Sequence, residues 1–240
     1  MTAYGAQTRV ELTLTARRGE SILLTLGIPV LLLLFFSLVD VLPTGTDDPV
    51  DFLAPGILAL AVMSTAMVGL GIATGFERQY GVLKRLGATP LGRPALLAAK
   101  TTGVVAVEVV QFAVLIALAV ALGWRPGSGW PVAIAAVVLG TIAFAGIGLA
   151  MAGTLRGEVN LAAANGLYLV LLLLGGVVIP IDELPTGLQV VARALPSVAL
   201  SDALHGSLTA GASVPGRAWL VLILWAVAAP LVAALTFRWE

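Results

Sequence analysis

The sequence predicts an all-α membrane protein with six transmembrane helices. Three observations carry that prediction: extreme apolarity, six long runs nearly free of charge, and a lopsided distribution of Lys and Arg among the connections. Of its 240 residues 59% are hydrophobic and 11% charged, with a mean hydropathy of +1.04. A soluble domain usually carries about 25% charged residues. A bilayer core of about 30 Å needs roughly 20 apolar residues at about 1.5 Å each, and residues 21–41, 52–76, 101–124, 130–155, 161–181 and 217–237 meet that length. Their continuous Leu, Ala and Val content excludes a β-barrel, which would alternate over segments of about ten residues.

Lys and Arg give the orientation, because short cytoplasmic loops collect them. With the N-terminus inside, ten of the thirteen bases (Arg9, Arg17, Arg18, Arg78, Lys84, Arg85, Arg93, Lys100, Arg156 and Arg238) fall on the inner side, leaving Arg125, Arg193 and Arg217 outside. Asp40, Asp47, Asp48, Asp51, Asp182, Glu183 and Asp202 gather on the outer side. Both termini are therefore expected in the cytoplasm, with the chain in the inner (cytoplasmic) membrane. The first apolar run is too long for a cleaved signal peptide and should stay attached.

Ahead of the first span, Ala6, Val10 and Leu14 repeat every four residues with Arg9, Thr13 and Arg17 on another face, the pattern of an interfacial helix in residues 1–20. Val10, Leu12 and Leu14 also alternate as a strand would, so both periodicities stand. Residues 77–100 form the largest inner connection, with a short helix before Gly87, a turn at Ala88-Thr89-Pro90 and a return to helix. Residues 182–216 are too long and too apolar for a simple outer loop. There Leu184, Leu188, Val191 and Leu195 recur at helical spacing until Pro196, and a second short helix is expected around Val198 to Leu208. Two amphipathic helices on the outer membrane face fit this pattern.

The chemistry available is sparse. Lys100-Thr101 imitates the end of a phosphate-binding loop, but Ala99 replaces its glycine, so ATP must bind elsewhere. No cysteine and one histidine, His205, exclude the usual metal clusters and disulfides. A Ser128–His205 protease pair is excluded because both residues fall in outer loops, and His205 reads as an exposed interfacial residue. Charge balance, thirteen basic against thirteen acidic residues, gives no sign of nucleic acid.

Glu108 is the one ionisable residue deep in a span, with Gln111 one turn later and Asn165 another polar candidate. A charge there must face protein, water or substrate. Two readings stand: a residue lining a substrate pathway or handling a proton, and a carboxyl group near the inner interface that is paired or protonated. The cluster Glu77, Arg78, Lys84, Arg85 likewise reads either as a solvated inner face or as a docking element for a cytoplasmic partner.

The connecting loop carries Glu77, Arg78, Gly81, Leu83, Lys84, Arg85, Leu86, Thr89, Pro90 and Leu91, with Gln79 where an acid is common. The first span contains Gly27-Ile28-Pro29-Val30, and the outer segment has Pro180, Glu183, Leu184-Pro185, Leu195-Pro196 and Asp202-Ala203-Leu204, with His205 where an arginine is frequent. In these three segments the sequence resembles the membrane permeases of the type 2 ATP-binding cassette exporter family, which includes daunorubicin-resistance type drug exporters and polysaccharide exporters. The resemblance implies a non-enzymatic exporter permease, and the apolar spans, whose polar residues are few (Glu108, Gln111, Asn160, Asn165 and scattered Ser and Thr), favour a hydrophobic or amphipathic drug or lipid-like substrate, as in multidrug efflux and antibiotic resistance, over a long polysaccharide. It implies no cofactor in this chain, ATP and Mg being held by two copies of a separate ATPase, and a second permease copy, identical or paralogous. Glu77 to Thr89 would be the coupling helix on that ATPase, with Pro90 among the coupling residues, and Pro180, Glu183, Pro185, Pro196 and Asp202 would belong to an extracellular gate. A polysaccharide or lipid-linked glycan exporter, a stand-alone proton-coupled carrier using Glu108, and a non-transporting scaffold remain as alternatives.

Overall fold

The computed structural model describes residues 5, 7–11, 13, 19–39, 49–87, 92–176 and 181–237, with the backbone alone at 19–25, 87, 93, 94 and 182. Among the described residues regular structure is entirely helical. Helical residues 7–11 precede α1 (Gly19–Leu38), which contains Pro29. Next comes one continuous helix made of α2 (Pro49–Val62), a π-helical segment (Met63–Gly69) and α3 (Leu70–Gln79). The short α4 (Val82–Gly87) leads to α5 (Arg93–Ala121), α6 (Trp130–Thr154) and α7 (Gly157–Leu174). A 3-10 turn (Ile181–Glu183), α8 (Thr186–Ala192), α9 (Pro196–Leu208) and α10 (Gly216–Thr236) complete the order.

Among the described residues, five helical stretches are long and apolar enough to cross a membrane: Pro49–Gln79, Ala95–Ala121, Trp130–Thr154, Gly157–Leu174 and Gly216–Thr236. The expected first span lies on α1, where the apolar stretch among described side chains, Leu26–Leu38, is shorter. Helix bounds shift where glycines intervene. The fifth run, expected at 161–181, begins at Gly157 because only Leu155 and Arg156 separate it from α6, and it ends at Leu174 before Gly175 and a left-handed Gly176 (φ +68°).

Helix α6 is the hub, and small residues let it be so. In lipid, helices gain little by hiding apolar surface from one another, so close backbone packing matters more. A Cβ at Gly148 would fall 2.5 Å from the Met67 carbonyl oxygen, and one at Gly146 2.5 Å from the Pro230 nitrogen of α10. Glycine alone fits at those two contacts.

The region expected as two surface helices is arranged differently. Helix α8 does leave Leu188, Val190 and Val191 exposed, but α9 is buried along Pro196 to Ser201 and again at Ala203, Leu204, Ser207 and Leu208. Leu200 meets Gly140, which lies about 15 Å along α6 from Trp130 at roughly 1.5 Å per residue. Thus α9 is inserted into one end of the bundle, called the hairpin end below. It packs against α2, α6 and α10 instead of presenting a single apolar face. Trp225 of α10 donates from Nε1 to the Ala194 carbonyl (3.0 Å), fixing the turn between α8 and α9.

Candidate functional site

At the end opposite the hairpin, Gly81 adopts a left-handed φ of +71°, which turns the chain sharply from α3 into α4. Helix α4 is six residues long, too short to be stable by itself. It is held by its apolar face: Leu83 is fully buried against Leu96 of α5 and Phe237, and Leu86 packs on the same cluster. Lys84 and Arg85 point away and are exposed, with Val82 and Tyr80 beside them. Tyr80 stacks on Phe76, ring centroids 6.1 Å apart, which stiffens this exposed edge.

Glu77 and Arg78 do not join that exposed face. The Arg78 guanidinium donates to the carbonyl oxygens of Gly153 and Leu155 (2.7 Å for Leu155), capping the C-terminal end of α6, where helix carbonyls lack intrahelical partners. Glu77 accepts from the Lys100 ammonium at 2.5 Å, and Lys100 also lies 3.1 Å from Glu11. Lys100 is 2% exposed and both carboxylates are largely buried, so this three-residue ion cluster is mostly shielded from water. It ties the N-terminal helical segment, α3 and α5 together. Of the coupling residues expected from sequence, Glu77, Arg78, Gly81, Leu83, Lys84, Arg85 and Leu86 are thus brought together by the fold, in two roles: anchors and an exposed face. Thr89 and Pro90 lie outside the described residues.

A cavity of about 760 Å³ adjoins this cluster. Glu11, Glu77 and Lys100 line one part, Val82 reaches it from α4, and Ser64 and Val68 contribute from the π-helical segment. Pro29 of α1 and Tyr168 of α7 supply further wall. Cavities of about 300–1,000 Å³ with apolar walls and a few polar groups suit drug-sized ligands. The polar candidates divide here. Asn165 lines the cavity and donates to the Leu161 carbonyl (2.8 Å). Glu108 and Gln111 do not line it.

Glu108 is 3% exposed and accepts from Thr141 of α6 at 2.7 Å, while its Oε1 has no hydrogen-bond partner among the described residues. Gln111 accepts from Thr65 of the π-helical segment at 2.9 Å. Both residues therefore join helices, α5 to α6 and α5 to the π-helical segment. A further buried amide, Asn160, does the same between α7 and α3 by donating to the Gly71 carbonyl at 2.8 Å. Its only sequence signal was a polar residue in an apolar run.

At the hairpin end, Glu183 and Pro185 are exposed, Pro196 starts the buried α9, and Pro180 lies outside the described residues. Asp202 accepts from Arg217 of α10 at 3.0 Å. Burial pushes the Asp202 carboxyl above its ordinary range, and Arg217 pulls it part of the way back. His205, expected as an exposed interfacial residue, is half-buried and tied to α2 through the Phe52 carbonyl. The reason is the inserted position of α9, which carries the ring inward.

Comparison with protein families finds that the model of the family described as ABC-2 type transporter matches residues 2–208. Comparison with curated proteins finds none that matches the chain.

Proposed function

The chain belongs to the ABC-2 type transporter family, a multi-pass membrane permease rather than an enzyme, and from that premise we propose that it exports a hydrophobic or amphipathic, drug-like or lipid-like molecule using ATP hydrolysed by a separate subunit. The observation that carries this reading is the double attachment of α4: its Lys84–Arg85 face is exposed, while its Leu83–Leu86 face and the flanking Glu77 and Arg78 are fixed to α5, α6 and the cavity wall. A push on α4 from an ATPase would reach the cavity through rigid contacts. In this reading α1 supplies the sixth span, both termini are cytoplasmic in the inner membrane, and two permease copies sit on two ATPase subunits. Apolar cavity walls favour an amphipath over a long polysaccharide.

The test is co-purification of the chain with an ATP-binding cassette ATPase and assay of export after Lys84→Glu with Arg85→Glu. Loss of both complex and export supports the reading; intact export with no ATPase bound refutes it. A proton-coupled carrier using Glu108 is the second reading, favoured by the Glu108 Oε1, which has no hydrogen-bond partner among the described residues. It requires that Glu108→Gln abolish transport, whereas the permease reading expects ATP-driven transport to persist, since glutamine keeps an acceptor for Thr141.

A further inference from the structure

His205 is the only histidine in the chain, and both of its ring nitrogens face backbone carbonyls. It stands in the last turn of α9. Its Nε2 lies 2.8 Å from the Phe52 oxygen in the first turn of α2, and its Nδ1 lies 2.9 Å from the Ser201 oxygen one turn back. The Phe52 ring packs on the imidazole with centroids 5.0 Å apart, so the ring is held in place. A carbonyl oxygen only accepts. A neutral imidazole has one N–H, so it makes one of these bonds and turns a lone pair toward the other oxygen; the imidazolium makes both. Among the described residues Ser201 Oγ, 3.3 Å from Nδ1, is the one group placed to donate to a bare nitrogen, and it is farther away than the carbonyl.

We propose that His205 is a proton-operated fastener between α9 and the first turn of α2, closed when the ring carries its second proton and loosened when it does not. The charged groups around it are compatible with this. Asp202 is on α9 itself and Asp51 precedes Phe52 on α2, where it accepts from the Arg125 backbone N–H at 3.4 Å. Arg217 begins α10 and is engaged with Asp202, and Arg193 lies in the turn before α9. Helix α6 carries no charge along its whole length. The tie between Arg217 and Asp202 is made by the ionised carboxylate, which also sets a negative charge on the same helix as the imidazole. Since α9 fills the hairpin end of the bundle, loosening it would open that end. On the topology proposed above, that end faces the exterior, so external pH would modulate release; the fastener itself does not depend on that topology.

The single histidine makes the test direct. Full-length protein is purified without a histidine tag, ¹⁵N-labelled at histidine, and titrated in lipid nanodiscs, where both faces see the same pH. The ring should pass from two protonated nitrogens to one as pH rises. Over the same interval the protection of residues 196–208, that is their exchange after division by the intrinsic base-catalysed rate at each pH, should fall about tenfold, the scale expected for losing one charge-assisted hydrogen bond, while the protection of α6 stays constant. His205→Arg should remove the pH dependence of that protection. A neutral ring throughout, a ring that titrates while α9 protection stays flat, or an unchanged pH dependence of that protection in His205→Arg would each overturn the proposal. A wrong topology alone would leave all three results intact.

Discussion

Lys100→Met tests whether the buried ion cluster holds the coupling apparatus together. Methionine keeps the apolar stem but deletes an ammonium whose side chain is 1% exposed and which lies between carboxylates of Glu11 and Glu77 that are themselves 12% and 13% exposed. With oxygens 3.1 Å and 2.5 Å from one nitrogen, those carboxylates are at most about 5.6 Å apart. At an effective dielectric constant of about 20, two like charges at that distance repel by about 3 kcal/mol. Removing one partner of a buried pair costs about 3–5 kcal/mol, in the same range. For a chain of this size about 1 kcal/mol moves the unfolding midpoint by roughly 2–4 °C, so the expected loss is about 10 °C in detergent-solubilised protein. Adding Glu77→Gln should restore about half of it by removing one of the facing charges. A drop below about 2 °C, or no recovery in the double variant, would refute the claim that this cluster is a structural joint.

Three further outcomes follow from packing and charge. Gly148→Ala places a Cβ against the Met67 carbonyl and should cost about 1–3 kcal/mol by thermal unfolding, whereas Gly166→Ala, with nothing within 4 Å, should be neutral or stabilising by up to about 1 kcal/mol. Because burial raises the Asp202 carboxyl, its contribution to stability is complete below the unfolded value and is lost as pH rises through the folded one; Asp202→Asn should flatten that part of the stability–pH curve. Lys84→Glu with Arg85→Glu should leave the unfolding midpoint within about 2 °C of the parent, since both residues are exposed on α4.

Much of the helical skeleton was legible because spans declare themselves by length and apolarity, and the Glu77–Leu86 segment declared itself by its motif. What was not legible depended on partners far away in sequence. Lys100 looked like one more inner-side base until the fold set it against Glu11 and Glu77. The π-helical segment Met63–Gly69 has no local signature, and its position emerges from the Thr65–Gln111 bond and the Gly148 contact. For α9, helical spacing of apolar residues looks the same whether one face or all faces are covered, and only the surrounding α2, α6 and α10 decide. Glu108 and Gln111 stand out in the sequence as costly polar groups, but their bonds to Thr141 and Thr65 depend on partners that no local pattern names.

The most direct test of the account is transport in inside-out vesicles containing this chain and its cognate ATP-binding cassette ATPase, using a fluorescent amphipath as the probe. The account predicts uptake that requires ATP and both proteins and is lost with Lys84→Glu and Arg85→Glu. Uptake by this chain alone, driven by a proton gradient and indifferent to ATP, would contradict it.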